Sequence, residues 1–162
     1  MIYKKLIVVA LILTTFLGCS KDDICAEDTP TTPLLIITFN DIANPTARKT
    51  VPGLVIRTTD VNQTVVVSTA SDSIAIPLRT GANSTRYEFI SNSGETNEIS
   101  DAYTFQYTRD DVYVNRACAF KTTYKNLSAT ESDSGVTDWI FNLTINNETV
   151  ENETSAHITF FH

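Results

Sequence analysis

Few residues in this 162-residue chain are of the types that do chemistry, and they are scattered. Neither His157 nor His162 has a second His, a Cys or a carboxylate at the spacing a zinc site needs. His157 lies between Ala156 and Ile158, so strand alternation turns it away from that apolar pair, and both rings read as surface groups. A nucleophilic Ser or Cys needs a base held beside it, and no Gly-x-Ser-x-Gly turn is present. Adjacent Asp110 and Asp111 point to opposite faces of a strand, or mark a kink in it; with Asp101 they read as solvated turn carboxylates, not as a paired acid and base. The acidic turn Glu131-Ser132-Asp133-Ser134-Gly135 lacks the regular calcium-loop pattern. The sequence assigns no catalytic residue, no metal ligand and no cofactor.

The cysteines are more legible. Lys4 and Lys5 precede an apolar run from Leu6 to Leu17, interrupted at Thr14 and Thr15, and the run ends at Phe16-Leu17-Gly18-Cys19. About a dozen apolar residues fall short of the ~20 that span a bilayer. A positive flank, a short apolar run and a small residue before the cut make a secretory signal. Gly18-Cys19 resembles the bacterial lipoprotein form of that signal, which implies removal of residues 1–18 and acylation of Cys19. Several acyl chains, at ~0.8 kcal/mol per buried CH₂, give a stable attachment. Ser20-Lys21-Asp22-Asp23 resembles the short export tag of surface lipoproteins in Bacteroidota. The expected address is the outer membrane, exposed at the cell surface; a periplasm-facing lipoprotein is the alternative.

With Cys19 consumed by lipid, Cys25 and Cys118 remain, and two thiols in an oxidising compartment pair. Their bond would close a loop of more than 90 residues. Chain entropy predicts about 4–5 kcal/mol of stabilisation from such a closure. The formal charge of −7 becomes −9 once Lys4 and Lys5 are removed. An acidic chain repels phosphate backbones, so nucleic acid is not an expected partner.

The elements that must position these groups are strands. Residues 19–33, with the Pro-containing run Ala26 to Pro33, read as an acylated tether and stalk, and residues 34–162 as a single domain. Within it apolar residues alternate: Leu35, Ile37, Phe39; Leu54, Ile56; Ile74, Ile76, Leu78; Tyr87, Phe89; Tyr103, Phe105, Tyr107; Trp139, Phe141, Leu143, Ile145; Ile158, Phe160. Phe120 and Tyr124 fall on one face of a further strand, Pro77 suggests a sheet edge, and Asn146-Asn147 suits a tight hairpin. Short β-branched and aromatic runs between Asn, Asp, Ser, Gly and Pro clusters, with no helical spacing, predict an all-β fold. The expected architecture is an antiparallel β-sandwich of about seven to nine strands, immunoglobulin-like or prealbumin-like, with a closed barrel as the alternative. The aromatics at 87, 89, 103, 105 and 107 read as its core face. Tyr113, opposite Val112 and Val114, is the best candidate for contact with a ligand.

The stretches "TPTTPLLIITFND", "NPTARKTVPGL", "SIAIPLRT" and "YTRDDVYVNRACAFKT" resemble a family of short lipoproteins from flavobacteria and their relatives. The resemblance covers nearly all of the mature chain. That family is a domain of unknown function, so it implies no catalytic residues. The expected function is a lipid-anchored, non-enzymatic binding or structural β-domain, with a protein, a glycan or its own kind as partner. An accessory subunit of an envelope complex and, third, a hydrolase are the alternatives.

Overall fold

The structure is a computed structural model and describes residues 24–59, 62–132 and 138–162. The signal segment, Cys19 and the Ser20–Asp23 tag lie outside the described residues, as do Asp133 to Gly135 of the acidic turn. Two compact units are present: residues 31–112 with 122–162, and residues 24–30 with 113–121.

Nine strands form among the described residues: β1 (Leu35–Asn40), β2 (Val55–Thr58), β3 (Val65–Ser68), β4 (Ser73–Ile76), β5 (Ser84–Ser91), β6 (Ile99–Asn115), β7 (Ala119–Glu131), β8 (Asn142–Ile145) and β9 (Ile158–Phe161). They make a four-stranded sheet in the order β4-β1-β9-β8 and a five-stranded sheet in the order β3-β2-β5-β6-β7. This is the expected all-β sandwich. The barrel alternative is excluded, because each sheet keeps two edge strands. β1 with β4, β8 with β9, β2 with β3, β2 with β5 and β5 with β6 pair antiparallel, whereas β1 and β9 run parallel with Ile37 opposite Ile158. A parallel pair needs a long crossover, and here nearly the whole chain separates its members.

The inward faces are those that alternation marks. Leu35, Ile37 and Phe39 of β1, Ile158 and Phe160 of β9, Phe89 of β5 and Phe105 of β6 are fully buried in one core. Phe160 sits at its centre, with ring centroids 5.3 Å from Phe89, 4.9 Å from Tyr103 and 6.0 Å from Phe39. On the outer face of the five-stranded sheet, Arg57 and Glu88 lie opposite in register and form a 2.6 Å ion pair. Gly53 takes φ +54° in a turn whose carbonyl receives the Ser93 amide. A Cβ there would stand 2.9 Å from the Ser93 nitrogen, so only glycine fits.

Several local expectations are corrected. β6 continues through Asp110 and Asp111 without interruption, because Asp110 accepts from Lys125 at 2.6 Å and Asp111 from the Thr122 hydroxyl at 2.7 Å across to β7. Tyr124 is fully buried while Phe120 is exposed. The link from β8 to β9 is not a tight turn at Asn146-Asn147. It runs from Asn146 to His157, and inside it Val150 exchanges backbone bonds with Tyr124 and is fully buried. Trp139 and Ile140 are both buried and Phe141 points out, which breaks the predicted alternation. The cause is Asp101, whose carboxylate accepts both the Trp139 amide (3.1 Å) and the Ile140 amide (2.8 Å). Asp101 is therefore no solvated turn carboxylate: it is 1% exposed on the inward face of β6.

Candidate functional site

Three buried tyrosines from three neighbouring strands hold the segment that follows β4. Pro77 cannot donate to a ladder, and beyond it the chain leaves the sheet, so the carbonyls there need other donors. The Tyr87 hydroxyl (β5) donates to the Pro77 carbonyl at 2.6 Å, Tyr124 (β7) to Leu78 at 3.0 Å and Tyr107 (β6) to Arg79 at 3.0 Å. Because a carbonyl only accepts, the Tyr107 proton points to Arg79. The 2.6 Å contact of Tyr107 with Thr85 then has the threonine hydroxyl as donor, and Thr85 in turn accepts the Arg79 amide at 2.8 Å. Burial pushes the Tyr124 pKa up to about 12 and raises that of Tyr107, so these phenols stay protonated donors.

This clamp fixes Arg79 at the rim of a cleft of about 210 Å³ lined by Thr58, Thr59, Arg79, Thr85, Arg86 and Tyr87. Arg86 donates from Nε to the Ser132 hydroxyl at 3.0 Å. Among the described residues no carboxylate forms an ion pair with Arg79 or Arg86. Two guanidiniums and several hydroxyls suit an anionic or hydroxyl-rich group, for which Arg offers a planar fork of donors. Among the described residues, the lining contains no histidine, carboxylate or thiol to act as base or nucleophile. Among the described residues no cluster of His, Cys, Asp and Glu is placed to hold a metal.

Apart from Tyr87, expected as a core aromatic, the residues singled out from sequence do not converge on this cleft. Cys25 and Cys118 are joined in a disulfide with Cα atoms 5.0 Å apart. Tyr113 is 59% exposed and stands in edge contact with Phe120, centroids 5.4 Å apart. The aromatics expected in the core are there, and burial raises the Tyr103 pKa as well.

Both histidines depart from the surface reading. His157 is 2% exposed. Alternation does place it on the outer face of its sheet, but the Asn146–His157 link packs onto that face, with Asn146 bonded to Thr159 at 2.8 Å. Its Nδ1 accepts the Ile36 amide at 3.0 Å. Burial lowers its pKa, against opposing pulls from the Asn152 backbone and Glu153. His162 is half-buried beside Phe39 and Trp139 and donates from Nε2 to the Lys49 carbonyl at 3.1 Å; burial lowers its pKa too.

Arg79 and Arg86 were not singled out from the sequence, and Tyr87, Tyr107 and Tyr124 were read only as aromatics on strand faces, not as donors to the segment after Pro77. A usable signal existed, since a buried tyrosine needs an acceptor and the carbonyls after Pro77 need donors. Residues 53–162 match a family of unknown function, DUF6452. No curated protein and no solved structure matches the chain.

Proposed function

We propose that this chain, which belongs to the DUF6452 family of unknown function, is an acyl-anchored outer-membrane lipoprotein whose β-sandwich binds a partner and does not catalyse. The observation that carries the reading is the Cys25–Cys118 bond, six residues past Cys19 at its nearer end. A disulfide suits an exported protein, and Leu6 to Gly18 followed by Cys19 supplies the means of export and attachment. The Ser20–Asp23 tag favours the cell surface of a Bacteroidota bacterium over the periplasmic face.

A Cys19→Ala variant should lose acyl labelling and leave the membrane fraction. Retention of either would sink the anchoring. Protease added to intact cells should digest the domain; protection until lysis would assign it to the periplasmic face as an accessory subunit. The Arg79–Arg86 cleft supports a binding role and points to an anionic group on the partner. In an NMR titration, glucuronate should shift the Arg79 and Arg86 side-chain N–H signals, and glucose should shift them far less. Equal responses to the two sugars would remove the cleft from the binding role.

A further inference from the structure

We infer that the turn between β6 and β7 is a membrane-docking tip, with Tyr113 and Phe120 seated in the interfacial layer of the bilayer that Cys19 enters. The inference rests on the lipoprotein reading above.

The first support is reach. Six Cα steps separate Cys19 from Cys25, and at about 3.6 Å each they span at most about 22 Å. The disulfide sets the Cys118 Cα 5.0 Å from that of Cys25. Residue 118, which is 99 positions from the acylated residue along the chain, is thereby confined to within about 27 Å of it. Without the bond the limit is far looser: the next tie is the Thr122 amide on the Thr32 hydroxyl at 3.0 Å, and Thr32 is 13 positions from Cys19. The disulfide thus turns a distant hairpin end into a part of the anchor.

The second support is what that end displays. Tyr113 and Phe120 are 59% and 63% exposed, and Ile24, beside Cys25, is 78% exposed. Three of the seven exposed large apolar side chains fall in residues 24–30 and 113–121, a small part of the described chain. Tyrosine is the residue type that suits an interface, with an apolar ring and a polar tip.

Charge is the third. Residues 31–112 and 122–162 hold seven basic and fifteen acidic side chains, a formal −8. Residues 24–30 and 113–121 hold two of each: Arg116 and Lys121 against Glu27 and Asp28. With Lys21, Asp22 and Asp23 beside the anchor the second set comes to −1, so an anionic headgroup surface repels it far less than the first. Arg116 lies between the two rings in sequence and Lys121 follows the second, and long apolar stems let such side chains carry their charge to lipid phosphates.

The test uses the acylated full chain in vesicles of phosphatidylethanolamine and phosphatidylglycerol with brominated acyl chains. Phe120→Trp is compared with Phe141→Trp, an equally exposed ring (65%) outside the tip, and the buried Trp139 is a background common to both. Emission from the residue-120 probe should shift to the blue and be quenched at least twofold more than the residue-141 probe. In a Cys25→Ser, Cys118→Ser double variant that still floats with the vesicles, the excess quenching should vanish. Equal quenching of the two probes in floating, acyl-labelled protein overturns the inference while leaving the anchor standing. A blue shift without bromine quenching also overturns it, because the tip then packs against protein, whether a second copy or another chain. Protein that carries no acyl label and does not float fails the lipoprotein reading itself, and the inference falls with it.

Discussion

The two compact units keep their aromatic residues by opposite means. In residues 31–112 and 122–162, Phe39, Phe89, Phe105 and Phe160 are fully buried and touch one another. Residues 24–30 and 113–121 leave Tyr113 and Phe120 more than half in solvent, and a disulfide closes the unit. So few residues cannot enclose an aromatic core, and a covalent link is the usual substitute. Period-two aromatics therefore carry different meanings on the same strand. Along β6, Tyr103 and Phe105 hold the fold, and Tyr113 is left available for contact.

Truncating one ring in each unit breaks or sharpens the contrast most directly. Phe160→Ala should cost about 3–5 kcal/mol, because it empties a site contacted by three other rings. Phe120→Ala should change stability by no more than about 0.5 kcal/mol, as an exposed position does. Urea unfolding followed by far-UV circular dichroism reads both. Similar losses at the two positions would make the exposed rings structural and end the comparison.

The disulfide comes next in size. Cys25→Ala with Cys118→Ala should lower unfolding free energy by about 2–4 kcal/mol, the usual yield of such a bond and less than chain entropy alone predicts, while leaving the strand spectrum unchanged. The bond acts mainly on the unfolded chain, where it closes a separation of 93 residues. Loss of the strand signal at pH 7 in the double variant would mean that the sandwich depends on the tip for its folding.

A third contrast lies between hydroxyls. Tyr124→Phe strands the buried Leu78 carbonyl and should cost about 1–3 kcal/mol. Tyr113→Phe, with no such acceptor among the hydrogen bonds described, should cost nothing measurable. If Tyr124→Phe were neutral, the clamp would not be what fixes the segment carrying Arg79.

These residues also mark where sequence reading reaches its end. The inner faces of β1, β5 and β6 follow from alternation alone, since one sheet face meets the other sheet and period two is all that is needed. The Cys25–Cys118 bond is the pairing that the expected export and the cysteine count predict. Alternation gives no account of what covers an outer face, so His157 reads as exposed until the polar Asn146–His157 link is seen against it. It fails again at Trp139–Phe141, where Asp101 draws two successive amides inward and imposes a geometry that is not a strand. The cleft is legible only in part: buried tyrosines and the carbonyls after Pro77 announce a need for partners, but Arg79 follows β4, Arg86 lies in β5, and the three hydroxyls that place the segment are distant in sequence.

The smallest effect separates the units by pH. The neutral His157 ring uses Nδ1 to accept the Ile36 amide, so the proton added on acidification would meet that N–H head-on. Burial lowers the folded-state pKa below the ordinary 6.5, whereas the unfolded chain titrates normally. As pH falls through 6.5 the unfolded state takes up a proton that the folded state refuses, and stability declines until the depressed folded value is passed. Between pH 7 and 5.5 one such histidine removes at most about 1.3 kcal/mol. His162, lowered for the same reason, adds in the same direction. Asn in place of His157 can offer Oδ1 near the position of Nδ1 without titrating. His157→Asn should therefore fold at pH 7 and show a smaller loss at pH 5.5 than the native chain, with His162 supplying the remainder. An undiminished loss in that variant would assign the acid sensitivity to other groups. The tip holds no histidine, so the quenching of a tryptophan at position 120 should be the same at both pH values.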